Sequence, residues 1–487
     1  MTTRVRTIGL IAAGAIAGLA ISFGISAYAY RDLRAASPIP LEEIRQFTEV
    51  YNAVKANYVE PVDDKKLMQE AISGMLSGLD PHSAYLDNEG FKDLQTSTQG
   101  EFGGLGMEIG TEDGAIKVIA PIDDTPAARA GIKGGDLIFK IDEQVTRGLT
   151  VTEAVKLMRG KPKTPVTLTV LRKGETQPLE FKLVRDVIRV QSVKSNLIEP
   201  GYGYVRIAQF QERTTEDLVK HVNELYKQGP LKGLVIDLRN DPGGLLHSAI
   251  GVSAAFLPAR TVVVTTDGRT PDARRKFVAA QEDYQRGRGE DILARLPKEV
   301  KSVPIVVLVN GASASASEIV AGALQDHKRA TVIGTPTFGK GSVQTIIPLR
   351  LEGDSSAAIK LTTARYYTPS GRSIQAKGIV PDLPVEDTAE GNIASFNVRE
   401  ADLARHLEDK KTETKPLGTA EQAAPAPTPV DTKAEPHSNA KPATPPKAYT
   451  FGSPEDFQLR QALNHLQGKK VELAKARESV AAASKTP

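Results

Sequence analysis

The sequence predicts an α/β chain of mixed architecture: a domain on a parallel-sheet core, a smaller β-rich domain inserted before it, and helical segments at both ends. Three observations predict this. Near-continuous apolar runs at Gly233 to Leu238, Pro304 to Asn310 and Ala330 to Ile333 alternate with helix-like stretches, the pattern of parallel strands buried on both faces. From about Gly100 to Asp186, short strands alternate with Gly-rich turns instead. Residues 38–96 and the stretch beginning at Pro454 carry apolar residues at helical spacing.

With 487 residues the chain exceeds what one core supports, so two or three folded units plus linkers are expected. Its 62 basic and 59 acidic residues leave a net charge of +3, which gives no field for nucleic acid. The absence of cysteine excludes disulfides, thiolate zinc sites and a cysteine nucleophile. No His-Glu-x-x-His pattern or carboxylate cluster suggests a metal, and no cofactor is expected.

Taking the elements in order, Arg4 and Arg6 precede an uncharged run from Ile8 to Tyr30 that closes on Ala27-Tyr28-Ala29. Residues 1–30 therefore read as a signal peptide or membrane anchor, with the rest exported to the periplasm and held at the membrane if the segment stays uncleaved. Region 38–96 carries two apolar stripes, one through Leu41, Ile44, Phe47 and Val50 and one through Leu67, Ala71 and Ile72. Such a small helical unit is expected to pack on the larger domain or on a second subunit. Residues 97–186 form the β-rich unit and 187–390 the α/β domain, where Thr214-x-x-Asp217 reads as a capping box opening a helix. Residues 412–449, rich in Pro, Ala, Lys and Thr, read as a flexible linker. The segment 453–482 returns to helical spacing at Phe457, Leu459, Leu463 and Leu466, and a subunit or adaptor contact is expected for it.

In a parallel sheet, reacting groups gather in loops leaving the carboxyl ends of the strands. Here those loops are Arg239-Asn-Asp-Pro-Gly-Gly244, Gly311-Ala-Ser-Ala-Ser-Ala-Ser-Glu318 and Gly334-Thr-Pro-Thr-Phe-Gly-Lys-Gly341. A hydroxyl, an amine and bare glycine amides can converge there, which are the parts of an acyl-transfer site. A serine needs a base, and a lysine can be that base only when burial keeps it neutral.

In the β-rich unit, Gly104-Leu105-Gly106-Met107 followed by Ala130-Gly-Ile-Lys-Gly-Gly-Asp136 resembles a PDZ domain, in which a Gly-rich loop holds a peptide carboxylate and a strand edge takes up the tail. The three loops, with Tyr366-Tyr-Thr-Pro-Ser-Gly-Arg372 and Gly378-Ile-Val-Pro-Asp382, resemble the carboxyl-terminal processing peptidases, or tail-specific proteases, of S41 type. The resemblance implies a crotonase/ClpP-like α/β peptidase that cleaves proteins with accessible C-termini. It implies Ser315 as nucleophile, 25 residues before the Lys340 of Gly-Lys-Gly, in preference to Ser313 or Ser317. It further implies Gln344 as the residue orienting Lys340, and an oxyanion hole from Ala316 with Gly243 or Gly244. The family's turn often has Asn where Asp241 stands; since the amides act, the change is expected to be harmless. Arg159, at a helix end of the PDZ unit, is expected to link an occupied groove to the site. An adaptor lipoprotein and a homo-oligomer complete the expected partners.

Rival readings are weaker. Gly334-x-x-x-x-Gly339-Lys340 matches most of a phosphate-binding loop, but Gly341 replaces the Ser or Thr and the following residues read as strand. A triad using His247 or His327 is the mechanistic rival. A catalytically inactive PDZ scaffold that binds protein C-termini without cutting them is the alternative from another class.

Overall fold

The computed structural model describes residues 40–409 and 451–473, apart from 113, 123, 288, 351–355, 390 and 392–397. The expected signal or anchor segment and the 412–449 linker lie outside the described residues. No helix among the described residues is long and apolar enough to cross a membrane. The described residues up to Ile72 form one compact unit and those from Ser73 onward another.

Among the described residues, helices α1 (Leu41–Asn57) and α2 (Asp64–Ser77) come first. Helix α1 buries none of its residues, and Leu41, Ile44, Phe47 and Val50 are exposed. Strand β1 (Ala84–Leu86) and helix α3 (Asn88–Gln99) follow. Asp87 caps α3 by accepting from the Gly90 amide, and Gly100 ends it in the left-handed conformation.

The β-rich unit comprises β2 (Glu101–Gly104), β3 (Met107–Glu112), β4 (Ala115–Pro121), β5 (Leu137–Ile141), β6 (Gln144–Val145), helix α4 (Val151–Met158), β7 (Pro165–Leu171), β8 (Leu179–Val184) and β9 (Asp186–Arg189). Its main sheet runs β3-β4-β5-β7-β8, all antiparallel. One face carries the core of Ile116, Val118, Ile138, Leu168 and Val170, which are almost fully buried and pack with Ala154 and Met158 of α4. The alternating burial of β7 is what its Val-Thr-Leu-Thr-Val sequence demands of a one-sided strand. Strand β3 keeps one edge unpaired within this sheet. The chain enters through β2 and leaves through β9, and these two pair antiparallel, Glu101 opposite Arg189.

The α/β domain then runs through β10 (Val193–Glu199), β11 (Tyr202–Ile207), α5 (Thr214–Lys227), β12 (Gly233–Asp237), α6 (Leu246–Phe256), β13 (Val262–Gly268) and β14 (Arg275–Val278). It continues with β15 (Ile305–Val309), α7 (Ala316–Asp326), β16 (Thr331–Gly334), β17 (Ser342–Arg350), β18 (Ser356–Tyr367), β19 (Leu383–Pro384) and α8 (Phe457–Leu466). One sheet has the order β10-β11-β12-β15-β16-β19, and every pair from β11 onward is parallel. Strands β12 and β15 are buried at every residue, as the apolar runs Leu234–Ile236 and Ile305–Val309 predict; Asp237, which closes β12, is the one buried charge among them. A second, antiparallel sheet holds β1, β18, β13 and β14, with β17 beside β18.

Two expectations are corrected here. Thr214 forms no capping box: Arg213 is the N-cap of α5, and the Thr214 hydroxyl accepts from the Gln211 amide and faces the Gln209 carbonyl. The apolar face of α8, expected to meet a subunit or adaptor, is covered by the chain itself. Phe457, Leu459 and Ala462 pack on Val235, Val306 and Leu308, so the segment closes one face of the parallel sheet.

Candidate active site

Because β12, β15 and β16 are parallel, the loops that follow them emerge at one sheet edge. The three serines of the middle loop have different surroundings. Ser313 is buried, donating to the Leu238 carbonyl at 2.8 Å and accepting from the Asn310 amide at 2.9 Å. Ser317 is buried and donates to the Asp241 carbonyl at 3.0 Å. Ser315 alone stays partly exposed, at the junction of loop and helix with φ 54° and ψ −109°. A positive φ on a residue with a side chain costs on the order of 1–3 kcal/mol, and such strain gathers at working sites.

A fully buried carboxylate holds this strained turn. Glu318 Oε2 accepts from the Ser315 amide at 2.8 Å and the Lys340 amide at 2.9 Å. Its Oε1 accepts from the Gly339 amide at 2.7 Å and the Thr337 hydroxyl at 2.5 Å. The serine loop and the lysine loop are thereby bound to one side chain. Burial pushes the Glu318 carboxyl up to about 7, against the pull of these hydrogen bonds.

The Lys340 amine is lowered from the ordinary lysine value, first by burial and then by the positive Lys360, while Glu400, Glu318 and Asp80 pull the other way. Among the described residues its ammonium has no hydrogen-bond or ion-pair partner. The loop around it is braced from behind: Glu400 donates its amide to the Phe338 carbonyl, and its carboxylate contacts His82 Nε2 at 2.7 Å and accepts from Gln375 at 2.9 Å. Gln375 in turn accepts from the Gly341 amide at 3.1 Å. Gln344 lies at a bulge in β17 and donates to the Ser342 and Thr362 hydroxyls, with no hydrogen bond to Lys340 among the described residues. Thr362 donates to Asp80, so the segment before β1 is tied into the same region.

The glycine turn separates its two candidates. Gly243 donates its amide to Asp241 Oδ1 at 2.8 Å. Among the described residues the Gly244 and Ala316 amides donate to no protein acceptor. A Cβ on Gly243 would lie 2.6 Å from the Ala314 carbonyl and 2.8 Å from the Ala316 nitrogen, so only glycine lets the turn lie against the serine loop. A Cβ on Gly244 would lie 2.0 Å from the Phe210 carbonyl. The bare Ala316 amide also opens helix α7, where the helix dipole favours negative charge.

In the β-rich unit, Gly104 ends β2 and Met107 begins β3. Leu105 is buried, its carbonyl accepting from Ala127, while the Gly106 carbonyl accepts from Ile122 and from the Thr125 hydroxyl. Among the described residues the Leu105 and Gly106 amides donate to no protein group, and they stand at the head of the unpaired β3 edge. Arg159 stacks on the Phe102 ring at 4.5 Å and stands 4.0 Å from Asp93 of α3. It thus meets both β2 and α3. The α4 C-terminus is capped by Arg185, which donates to the Leu157 and Met158 carbonyls.

Elsewhere, His247 contacts Glu212 and His327 contacts the Val262 carbonyl. The stretch after Lys340 is strand β17, not the helix a phosphate loop requires. Sequence reasoning gave no role to Glu318, although Ser315-x-x-Glu318 is a capping-box spacing that points to it. The brace of His82, Gln375 and Glu400 has no sequence signal, since its members are scattered.

Comparison with known proteins agrees with this architecture. Residues 201–385 match the model for peptidase family S41, 103–183 the PDZ domain and 26–90 the activating protease CtpB N-terminal domain. A carboxy-terminal-processing protease of Bartonella bacilliformis is 47% identical over 384 residues, 78% of this chain and 84% of that one. Carboxy-terminal processing protease CtpA of Bacillus subtilis is 36% identical over 70% of this chain and 68% of its own. A solved structure of a photosystem II D1 C-terminal processing protease is 30% identical, covering 70% of this chain and 86% of that one with a TM-score of 0.39. With a PDZ domain inserted ahead of its peptidase domain, this chain belongs to the carboxy-terminal-processing serine proteases of peptidase family S41.

Proposed function

We propose that the chain cleaves peptide bonds with a Ser315–Lys340 dyad, acting on proteins whose C-terminal tails enter the PDZ groove. The supporting observation is Glu318, whose carboxylate accepts from the amides of both Ser315 and Lys340 and so brings the two loops to one point. Burial favours the neutral amine of Lys340, which takes the proton from Ser315 Oγ as that oxygen attacks the substrate carbonyl. The oxyanion receives the Gly244 and Ala316 amides, each donor contributing about 2.7–4 kcal/mol. Lys340 returns its proton to the departing amine. It then activates the water that hydrolyses the acyl-enzyme.

Upstream, the Leu105 and Gly106 amides receive the tail's carboxylate and the β3 edge pairs with the residues before it. The N-terminal uncharged run supports export to the periplasm, and the exposed apolar residues of α1 support self-association. The test is digestion of an unfolded polypeptide by the wild type, Ser315→Ala and Lys340→Ala. Only the wild type is expected to cleave. Products formed by Ser315→Ala reject the nucleophile, and an undiminished rate in Lys340→Ala rejects the base.

A further inference from the structure

The turn that carries Gly244 begins at Arg239, whose guanidinium is fully buried. Its partners come from two distant places. Asp237, at the end of β12, accepts from the Arg239 amide at 2.9 Å, Nε at 3.0 Å and Nη2 at 2.6 Å. The second carboxylate is Asp456, 217 positions later, accepting from Nη1 at 2.8 Å and Nη2 at 2.5 Å. Gln458 adds an acceptor to Nη1 at 3.0 Å, and the Phe451 ring lies 4.4 Å from the guanidinium carbon.

Asp456 is itself firmly held. It caps α8 by accepting from the Leu459 amide and also accepts from the Gly452 amide, while α8 packs on the sheet. Both faces of the guanidinium fork are therefore spent on fixed carboxylates, leaving Arg239 little freedom. Removing one would leave buried donors unpaired, which drives the side chain toward water and pulls on the backbone where the turn begins.

We propose that Asp456, supplied by the last folded segment of the chain, is a positioning residue for catalysis: through Arg239 it sets the glycine turn that presents the Gly244 amide. This rests on the reading of Gly244 and Ala316 as oxyanion donors. A donor displaced by about 1 Å costs up to about 100-fold in rate without changing what binds the substrate.

The experiment uses the full chain carrying Asp456→Asn, with active sites counted by a serine-reactive fluorophosphonate. The expected result is a kcat per counted site about 10- to 100-fold below wild type, with KM within about twofold. A merely structural role would lower the number of reactive sites and leave kcat per site unchanged; that result overturns the proposal. If Asp456→Asn does not fold, Asp456→Glu keeps the charge and displaces the carboxylate by one methylene; a wild-type kcat per site there likewise overturns it. Failure of the proposed Ser315 nucleophile, on which the oxyanion reading itself depends, shows separately, as a wild type in which the probe does not label Ser315.

Discussion

Asp241 Oδ1 accepts the Gly243 amide at 2.8 Å, while its other carboxylate oxygen is buried without a hydrogen-bond partner among the described residues. Burial pushes this carboxyl from 3.8 up to about 8. The raised value favours the neutral acid at neutral pH, which has the shape of asparagine and gives a physical reason for Asp at this place in the turn.

A pH profile follows. With Lys340 as the proposed base, the rising limb of kcat/KM is expected to follow its neutral fraction, which grows as pH climbs through its lowered pKa. Above about 8, Asp241 ionises and sets a negative charge beside the proposed oxyanion donors, so activity falls. Asp241→Asn is expected to keep the rising limb and lose the fall. A profile unchanged by the substitution removes Asp241 from the account.

The same proton gives a stability prediction. Between 3.8 and about 8 the folded chain holds a proton that the unfolded chain has released, so its contribution to stability declines with rising pH across that window. Urea midpoints of Asp241→Asn, compared with wild type at pH 5, low in that window, and at pH 9, above it, are expected to show the larger relative gain at pH 9.

Glu318→Gln places an amide nitrogen where only donors face it. Each donor left without an acceptor costs on the order of 1–3 kcal/mol, and the Ser315 and Lys340 loops lose their common anchor. Expected are a lower melting temperature and a kcat reduced by roughly 100-fold. Glu318→Asp, which is too short to span both loops, is expected to be similarly impaired in a cleavage assay.

A substrate peptide with an amidated C-terminus lacks the charge that the Leu105 and Gly106 amides are proposed to receive. Its affinity, read by calorimetry, is expected to fall by about tenfold or more, as loss of one charge-assisted hydrogen bond implies. Equal affinities for the free acid and the amide would place tail recognition elsewhere.

Ile236→Ala hollows β12, the strand that ends at the glycine turn, at a residue with no exposed surface. The expected loss is about 2–5 kcal/mol in urea unfolding.

The parallel sheet was legible because strands buried on both faces must be apolar throughout, as Leu234, Val235 and Ile236 are. From that followed the common edge of the three loops. Which serine of the middle loop faces the solvent was not legible from residue type, since all three sit among small residues. The structure separates them by giving Ser313 and Ser317 backbone carbonyls to bond. Thr214 misled because a hydroxyl that bonds backward to Gln211 leaves the same trace in sequence as one that caps forward. Arg239 and Asp456 lie too far apart for any local pattern to join them. The apolar stripe of α8 announced a contact but not with what.

The pairing of β2 with β9 brings both junctions of the PDZ domain side by side. A module whose two ends meet at one doorway can be lifted out or exchanged without stretching the chain on either side. Tail preference and bond-breaking chemistry can thus diverge independently, one recognition head replacing another on an unaltered catalytic body.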